Sequence, residues 1–337
     1  MHRRRLVNII VVAALICLLF SVPLFWKSIY WIHVLILTML NVLLAVSLRA
    51  LTRTGQVSIG TAGFMLLGAY SSALLAMKLG LSFWITLLLG GLLAAVVALV
   101  VGYPFLKAKG IYFAILTVML AEVCRLIAWY WTSMTGGSAG LTNIPSPNPI
   151  SILGITILSF NTKIAYYYLA LVIIIISLVI LYRVERSWLG LMWSAINGAD
   201  NLAQAVGINI MGHKMLIFSV SSFFMGIAGA LYAHYMSTLT PFGTPGSPFG
   251  FFASIYALIY VVLGGEASFA GPIIGATLLT IVPELARGLK EYMPLIFGGL
   301  LIFVVFVMPE GIVGLGASLS RWYGGAVRRL AKKPRKV

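Results

Sequence analysis

Two adjoining stretches decide the fold: Ile164–Leu181, IAYYYLALVIIIISLVIL, and Ser187–Lys214, SWLGLMWSAINGADNLAQAVGINIMGHK. The first has no charged residue and is long enough, as a helix, to cross a hydrocarbon core of about 30 Å. The second carries Asn197, Asp200, Asn201, Gln204 and Asn209, and another apolar run, Met215–Tyr235, follows at once. A polar segment between two such runs has to leave the bilayer. A short helix kept there is placed to touch something soluble.

The same pattern extends outward along the 337 residues. The hydrophobic fraction is 61% and the charged fraction 9%, against roughly 45–50% and about 25% in soluble domains. Apolar runs fall at Leu6–Val22, Ile29–Leu48, Ser58–Met77, Phe83–Pro104, Ile111–Trp131, Ile164–Leu181, Met215–Tyr235, Phe251–Leu263, Pro272–Leu289 and Leu295–Met308. Alternation of the β-barrel kind is absent, and helices satisfy their own backbone groups in lipid. The expected fold is all-α, a polytopic integral membrane helical bundle of about ten transmembrane helices. It would form a single transmembrane domain over residues 1–320, with a basic tail over 321–337.

Charge sets the orientation. With the N-terminus inside, 17 basic residues fall on inner segments, among them Arg3, Arg4, Arg5, Arg49, Arg53, Arg183, Arg186, Lys214 and the tail. Five fall outside: Lys27, Lys78, Lys163, Arg287 and Lys290. The bias predicts that both termini are cytoplasmic. The net charge of +16 then reflects topology and attraction to anionic membrane lipid rather than nucleic-acid binding. The run Leu6–Phe20 after three arginines resembles a signal peptide, but no small-x-small cleavage site follows, so it reads as a retained helix.

Enzyme chemistry finds little support. GxxxxGK[ST] and HExxH are both missing, and His2, His33, His213 and His234 are scattered, so neither an ATP site nor a metal site is expected. Cys17 and Cys124 both lie in spans and imply no disulfide framework. Glu122 and Arg125 form an i,i+3 pair inside a span, a functional candidate at that depth, though the two can simply neutralise each other. Two glycine-bearing segments, Gly55–Gly60 (GQVSIG) and Thr135–Leu141 (TGGSAGL), can bend the chain or bring backbone close to a solute. Gly271 with Gly275, and Gly226 with Ala230, are small-xxx-small pairs that predict close helix packing.

In order along the chain, GQVSIGTAGFMLLGAY, KGIYFAILTVMLAEVCRLI, TGGSAGL, AQAVGIN, KMLIFSVSSFFMGIAGALYA, VVLGGEASFAGPIIGA, PELARG and GGLLIFVVFVMPEGI resemble the permeases of prokaryotic ABC importers for branched-chain amino acids. The likeness is to the M-type subunit of Leu/Ile/Val uptake systems and runs from about Gly55 to Ile312. It implies a chain without catalysis or cofactor of its own, in a prokaryotic cytoplasmic (inner) membrane. ATP and Mg would be bound on two cytoplasmic ATPase subunits. The other partners would be a second related permease and an extracytoplasmic solute-binding protein.

The resemblance also makes Ser187–Lys214 a coupling loop, whose short helix docks on an ATPase. The matching residues are Asp200, Ala203, Ala205 and Gly207. Ala203 and Gly207, four apart, would share a close-docking face. Asp200 would accept hydrogen bonds at the start of the helix, and Gly207 would end it. The family often has arginines and a second acidic residue before this helix, where this chain reads SAINGAD, and a small residue at Leu202. Thr61 stands where histidine is frequent. Gln56, Ser58, Glu122, Thr135, Gly136 and Gly137 are the candidates for the translocation path. Urea or short amides are alternative solutes. A secondary carrier or channel that works through Glu122 and Arg125, without an ATPase, is the competing reading.

Overall fold

Residue 49 sits near the end of the most enclosed helix of the molecule, and the bundle is best described from there. The computed structural model describes residues 28–285 except 109, 153–154, 159, 161 and 243–246, together with 17, 19–23, 292, 295, 298–299 and 311–312. Helix α1, Ile29–Thr52, is buried along almost its whole length. It is surrounded by α6 (Lys163–Glu185), α9 (Ile210–Met236), α10 (Phe251–Gly264) and α11 (Ala270–Leu285). On the other side of α9 lie α2 (Thr61–Leu79) and α3 (Phe83–Phe105), and α4 (Ile111–Tyr130) packs mainly on α2.

Six of these helices, α1, α2, α3, α4, α6 and α9, are long and apolar enough to cross a membrane, and α10 and α11 are shorter apolar helices. They coincide with eight of the expected runs. The first and last runs, both termini and the basic tail lie wholly or mostly outside the described residues. Several boundaries differ from expectation, α1 for one running on to Thr52 rather than Leu48. Helix α2 starts at Thr61 rather than Ser58, because Gln56–Gly60 is not helical. Helix α6 runs on to Glu185, and α9 begins at Ile210, where the Asn209 side chain accepts from the Gly212 amide at 3.0 Å.

Small residues allow α2, α3 and α9 to touch backbone to backbone. A Cβ on Gly68 would run into the backbone of Gly226, and one on Gly226 would lie 2.8 Å from the Ala94 Cβ. In the same way Gly275 of α11 lies against the Tyr260 carbonyl of α10. Both small-residue pairs read from the sequence therefore mark helix contacts, as small residues do where lipid removes the hydrophobic drive between helices. Phe218 of α9 fills the space beyond the glycines, edge-on to Phe64 at 5.3 Å and Phe113 at 5.6 Å.

At the end expected to face outward the structure adds elements that hydropathy did not reveal. After α4 comes the one-turn helix α5 (Thr132–Thr135), and then strand β1 (Leu141–Thr142). Strands β2 (Ile150–Ile152) and β3 (Ile155–Leu158) form a hairpin, and β1 pairs antiparallel with β4 (Thr238–Leu239). The imidazole Nδ1 of the buried His234 donates to the Pro145 carbonyl at 2.7 Å, leaving Nε2 to accept from Ser72 at 3.0 Å. His33 of α1 contacts the Tyr235 hydroxyl of α9 at 2.7 Å. These residues tie the outer loops to the bundle.

Candidate functional site

At the opposite end, the segment between α6 and α9 folds into two short helices rather than one. The Ser187 side chain accepts from the Leu189 amide at 3.3 Å and starts α7 (Trp188–Gly198). Gly190, Trp193 and Ile196, spaced by three, turn inward, and Trp193 is fully buried. Gly55 packs beside Asn197, so the turn leading into α2 rests on this helix. Helix α8 (Asp200–Ala205) follows.

The four expected coupling residues divide between agreement and correction. Gly207 ends α8 as expected. It has φ of +87°, its amide donates to Gln204, and the Ile208 amide donates to Ala203 at 3.1 Å. This is a Schellman turn, which glycine adopts without strain. Asp200 does not cap the helix: Ala199 holds that position, and the Asp200 carboxylate instead takes the ammonium of Lys214 at 2.9 Å. A full positive charge on α9 outcompetes weak amide donors for a carboxylate. Ala203 is buried against the bundle, while Gly207 is exposed beyond the helix end, so the two do not share a docking face. Ala205 is exposed. What α8 presents to solvent is Leu202, 71% exposed, and Val206, 78% exposed, with Trp188 and Leu191 also exposed on α7.

Nothing in the sequence pointed to the charge cluster beside this segment. Arg49, in the last turn of α1, binds Glu185 through Nη1 at 2.6 Å, and the two side chains are 2% and 12% exposed. Its Nε donates to the Glu266 carbonyl at 2.8 Å and Nη2 to the Ala267 carbonyl at 3.4 Å, both in the turn joining α10 to α11. The Arg53 Nε stands 3.3 Å from the other Glu185 oxygen. One guanidinium thus holds three parts of the inner end together, and Glu185 lies two residues ahead of the Ser187 cap. Arg49 and Glu185 are 136 positions apart, so no local spacing could have paired them.

The candidates for the path line up along α4. In its first third the Ile59 amide donates to Thr117 Oγ1 at 3.1 Å, which sets the non-helical Gln56–Gly60 segment against the helix. Ser58 is buried and accepts from the Gly60 amide at 3.2 Å. Gln56 is also buried, and its Oε1 has no partner among the described residues. The Ala62 amide, in the first turn of α2, donates to Ser254 in the first turn of α10 at 3.0 Å. The N-terminal ends of two helices running in opposite directions therefore meet there.

Further along α4, Arg125 grips both oxygens of Glu122, with Nε at 2.9 Å from Oε2, and its Nη1 donates to the Pro241 carbonyl at 3.1 Å. At the outer end, Thr135 donates to the Ala128 and Trp131 carbonyls at 2.6 and 2.7 Å and closes a turn in which Gly136 and Gly137 have positive φ. Thr135–Gly137 is a structural corner. Glu122 and the Thr135–Gly137 corner lie on and just beyond α4, and Gln56 and Ser58 are buried in the segment that meets it at Thr117.

Residues 30–307 match the family described as the permease component of branched-chain amino acid transport systems. The chain belongs to that family. It is 30% identical over 310 residues to the high-affinity branched-chain amino acid transport system permease protein LivM of Escherichia coli (strain K12), covering 87% of this chain and 72% of that one. The same identity holds over 295 residues to LivM of Salmonella typhimurium, covering 82% and 68%. The permease protein LivH of Escherichia coli is 29% identical over 158 residues, covering 46% and 49%. No solved structure matches. The permease is thus a transport subunit with several membrane-crossing helices, and its family agrees with the resemblance read from the motifs.

Proposed function

We propose that this permease is the transmembrane subunit of an ATP-driven importer for branched-chain amino acids or similar small polar solutes. It works in a prokaryotic cytoplasmic membrane with a second related permease, two ATPase subunits and an extracytoplasmic binding protein. ATP and Mg belong to the ATPase subunits. The observation that carries the reading is α8: a six-residue helix held outside the spans by the Asp200–Lys214 pair and the buried Ala203, presenting Leu202 and Val206 to solvent. Two large apolar side chains exposed on a short helix are suited to a groove on a partner. The contact relies on apolar burial, consistent with the missing charges of the SAINGAD stretch. Transport by the spans needs no chemistry on this chain. A change of facing direction is imposed at α8 and passed to the helices rooted in the same inner end.

Few charged side chains lie in the spans, which suits a zwitterionic or neutral solute and disfavours a strongly anionic one. A carrier working through Glu122 is less well supported, because Arg125 occupies both carboxylate oxygens. The test is the double substitution Leu202→Asp with Val206→Asp, at positions whose side chains have no packing role in the bundle. The protein is expected to reach the membrane and keep its thermal stability, but to lose the copurifying ATPase and at least tenfold of ATP-driven uptake of labelled leucine. Unchanged ATP-driven uptake would overturn the docking role of α8. Uptake that persists without ATP and follows a proton or sodium gradient would replace the importer with a carrier.

A further inference from the structure

Among the described membrane-crossing helices α3 and α4 are the least buried, and the middles of their outward faces differ in chemistry. On α3 the outward stripe Ile85, Leu88, Leu92, Val96, Leu99 and Val100 is aliphatic between the exposed aromatics Trp84 and Tyr103 near its ends and carries no charge, which is what hydrocarbon tails and their interfaces accept. On α4 the outward stripe runs through Tyr112, Ile115, Met119, Val123, Leu126 and Tyr130, and Glu122 lies within it with 41% of its side chain exposed. Glu122 is the twelfth residue of a 20-residue helix, about 16 Å along an axis of about 30 Å. That is close to mid-depth of the hydrocarbon. A charged side chain facing lipid there is costly. The Arg125 pair lowers that cost but leaves a strong dipole on the outer face.

We infer that the outward face of α4 is the surface against which a second permease of this family packs, with Glu122 near its centre. The identity of the partner rests on the importer reading above; the face itself rests on the contrast with α3. A second permease supplies what lipid cannot: backbone or side-chain donors at mid-depth for the exposed carboxylate, and an apolar helix surface for Met119, Val123 and Leu126. Arg125 remains fixed on its own chain through the Pro241 carbonyl, so the pair is held in place for a partner to meet. Matching relatives named as two different permease proteins, LivM and LivH, fit a partner of the same fold.

The experiment uses the whole transport complex in membranes, with a benzoylphenylalanine photoprobe replacing Met119 or Val123 on α4, and Leu92 or Val96 on α3. Irradiation from α4 is expected to give adducts with a second permease chain, identified by mass spectrometry, and from α3 adducts with lipid alone. Lipid adducts alone from both faces, or permease adducts from α3 only, would overturn the assignment. So would modification of Val123→Cys by a membrane-impermeant thiol reagent without any permease adduct, which would place water there. ATP-driven uptake is measured on the same preparations. Intact ATP-driven uptake without α4 adducts removes the interface and leaves the importer; permease adducts with ATP-independent uptake remove the importer and leave the interface.

Discussion

Among the described residues, two arginine–glutamate pairs lie within the membrane-crossing helices, and their surroundings differ. Arg49 and Glu185 come from different helices, are almost fully enclosed and bind backbone carbonyls of a third element. Glu122 and Arg125 sit one turn apart on one helix, with the carboxylate partly outside the bundle. The first pair cannot be removed without leaving a buried charge or open carbonyls, so it is part of what holds the inner end together. The second pair could be lost with little effect on the packing of its own chain. Its glutamate side chain is 41% exposed on the outward face of the helix. Location, more than residue type, separates a structural ion pair from one offered to a partner.

The comparison breaks most readily at Glu185. Glu185→Ala strands the Arg49 guanidinium in a buried site, which costs about 3–5 kcal/mol when one partner of such a pair is removed. A large fall in the detergent melting temperature and loss of uptake are expected. Adding Arg49→Met removes the stranded charge and should recover part of the loss, though not all, because the Glu266 and Ala267 carbonyls lose their donor. A melting temperature for Glu185→Ala no lower than that for Glu122→Ala would contradict the distinction between the two pairs.

A smaller effect is expected at the Asp200–Lys214 pair, which is intermediate in burial, with 28% and 7% of the side chains exposed. Asp200→Asn keeps an acceptor but loses the charge, for an expected cost of about 1–2 kcal/mol. Its signature should be local: faster hydrogen exchange in α7 and α8, with the spans unchanged. Exchange that rises equally throughout α1 and α9 would mean that this pair, too, holds the whole bundle.

Least change in stability is expected for Glu122→Gln, about 1 kcal/mol or less, since the amide still accepts from Arg125 and the group is partly exposed. The effect should appear instead as a lower yield of the second permease in the purified complex. A full yield together with a large drop in melting temperature would reverse the roles of the two pairs.

Much of this was legible from the chain alone. Eight apolar runs became helices at nearly the expected places, because a segment in lipid has so few ways to satisfy its backbone. The Glu122–Arg125 pair was legible because i,i+3 spacing is local, and Gly207 because a positive-φ residue at a helix end is a local requirement. Asp200 was misjudged for the opposite reason. Its neighbours in sequence suggested a cap, and Lys214, brought over by the start of α9, took the carboxylate. Ala203 was misjudged likewise: a small residue reads the same whether it permits docking or is simply buried. The outer strands β1 and β4 were missed, because two-residue strands nearly a hundred positions apart leave no periodic signal.

Composition and hydropathy by themselves determined that this is a helical membrane protein, roughly where its spans lie and which end carries the positive charge. Motif order placed it among the permeases. These properties depend on how each short segment meets lipid or water, and local pattern suffices for them. Which charges pair, which small residues are buried, and which helix faces stay uncovered were settled only when distant segments packed together. Arg49 finds Glu185 across 136 positions through the packing of α1 against α6. The faces of α3 and α4 part company only once α2 and α9 have covered their other sides.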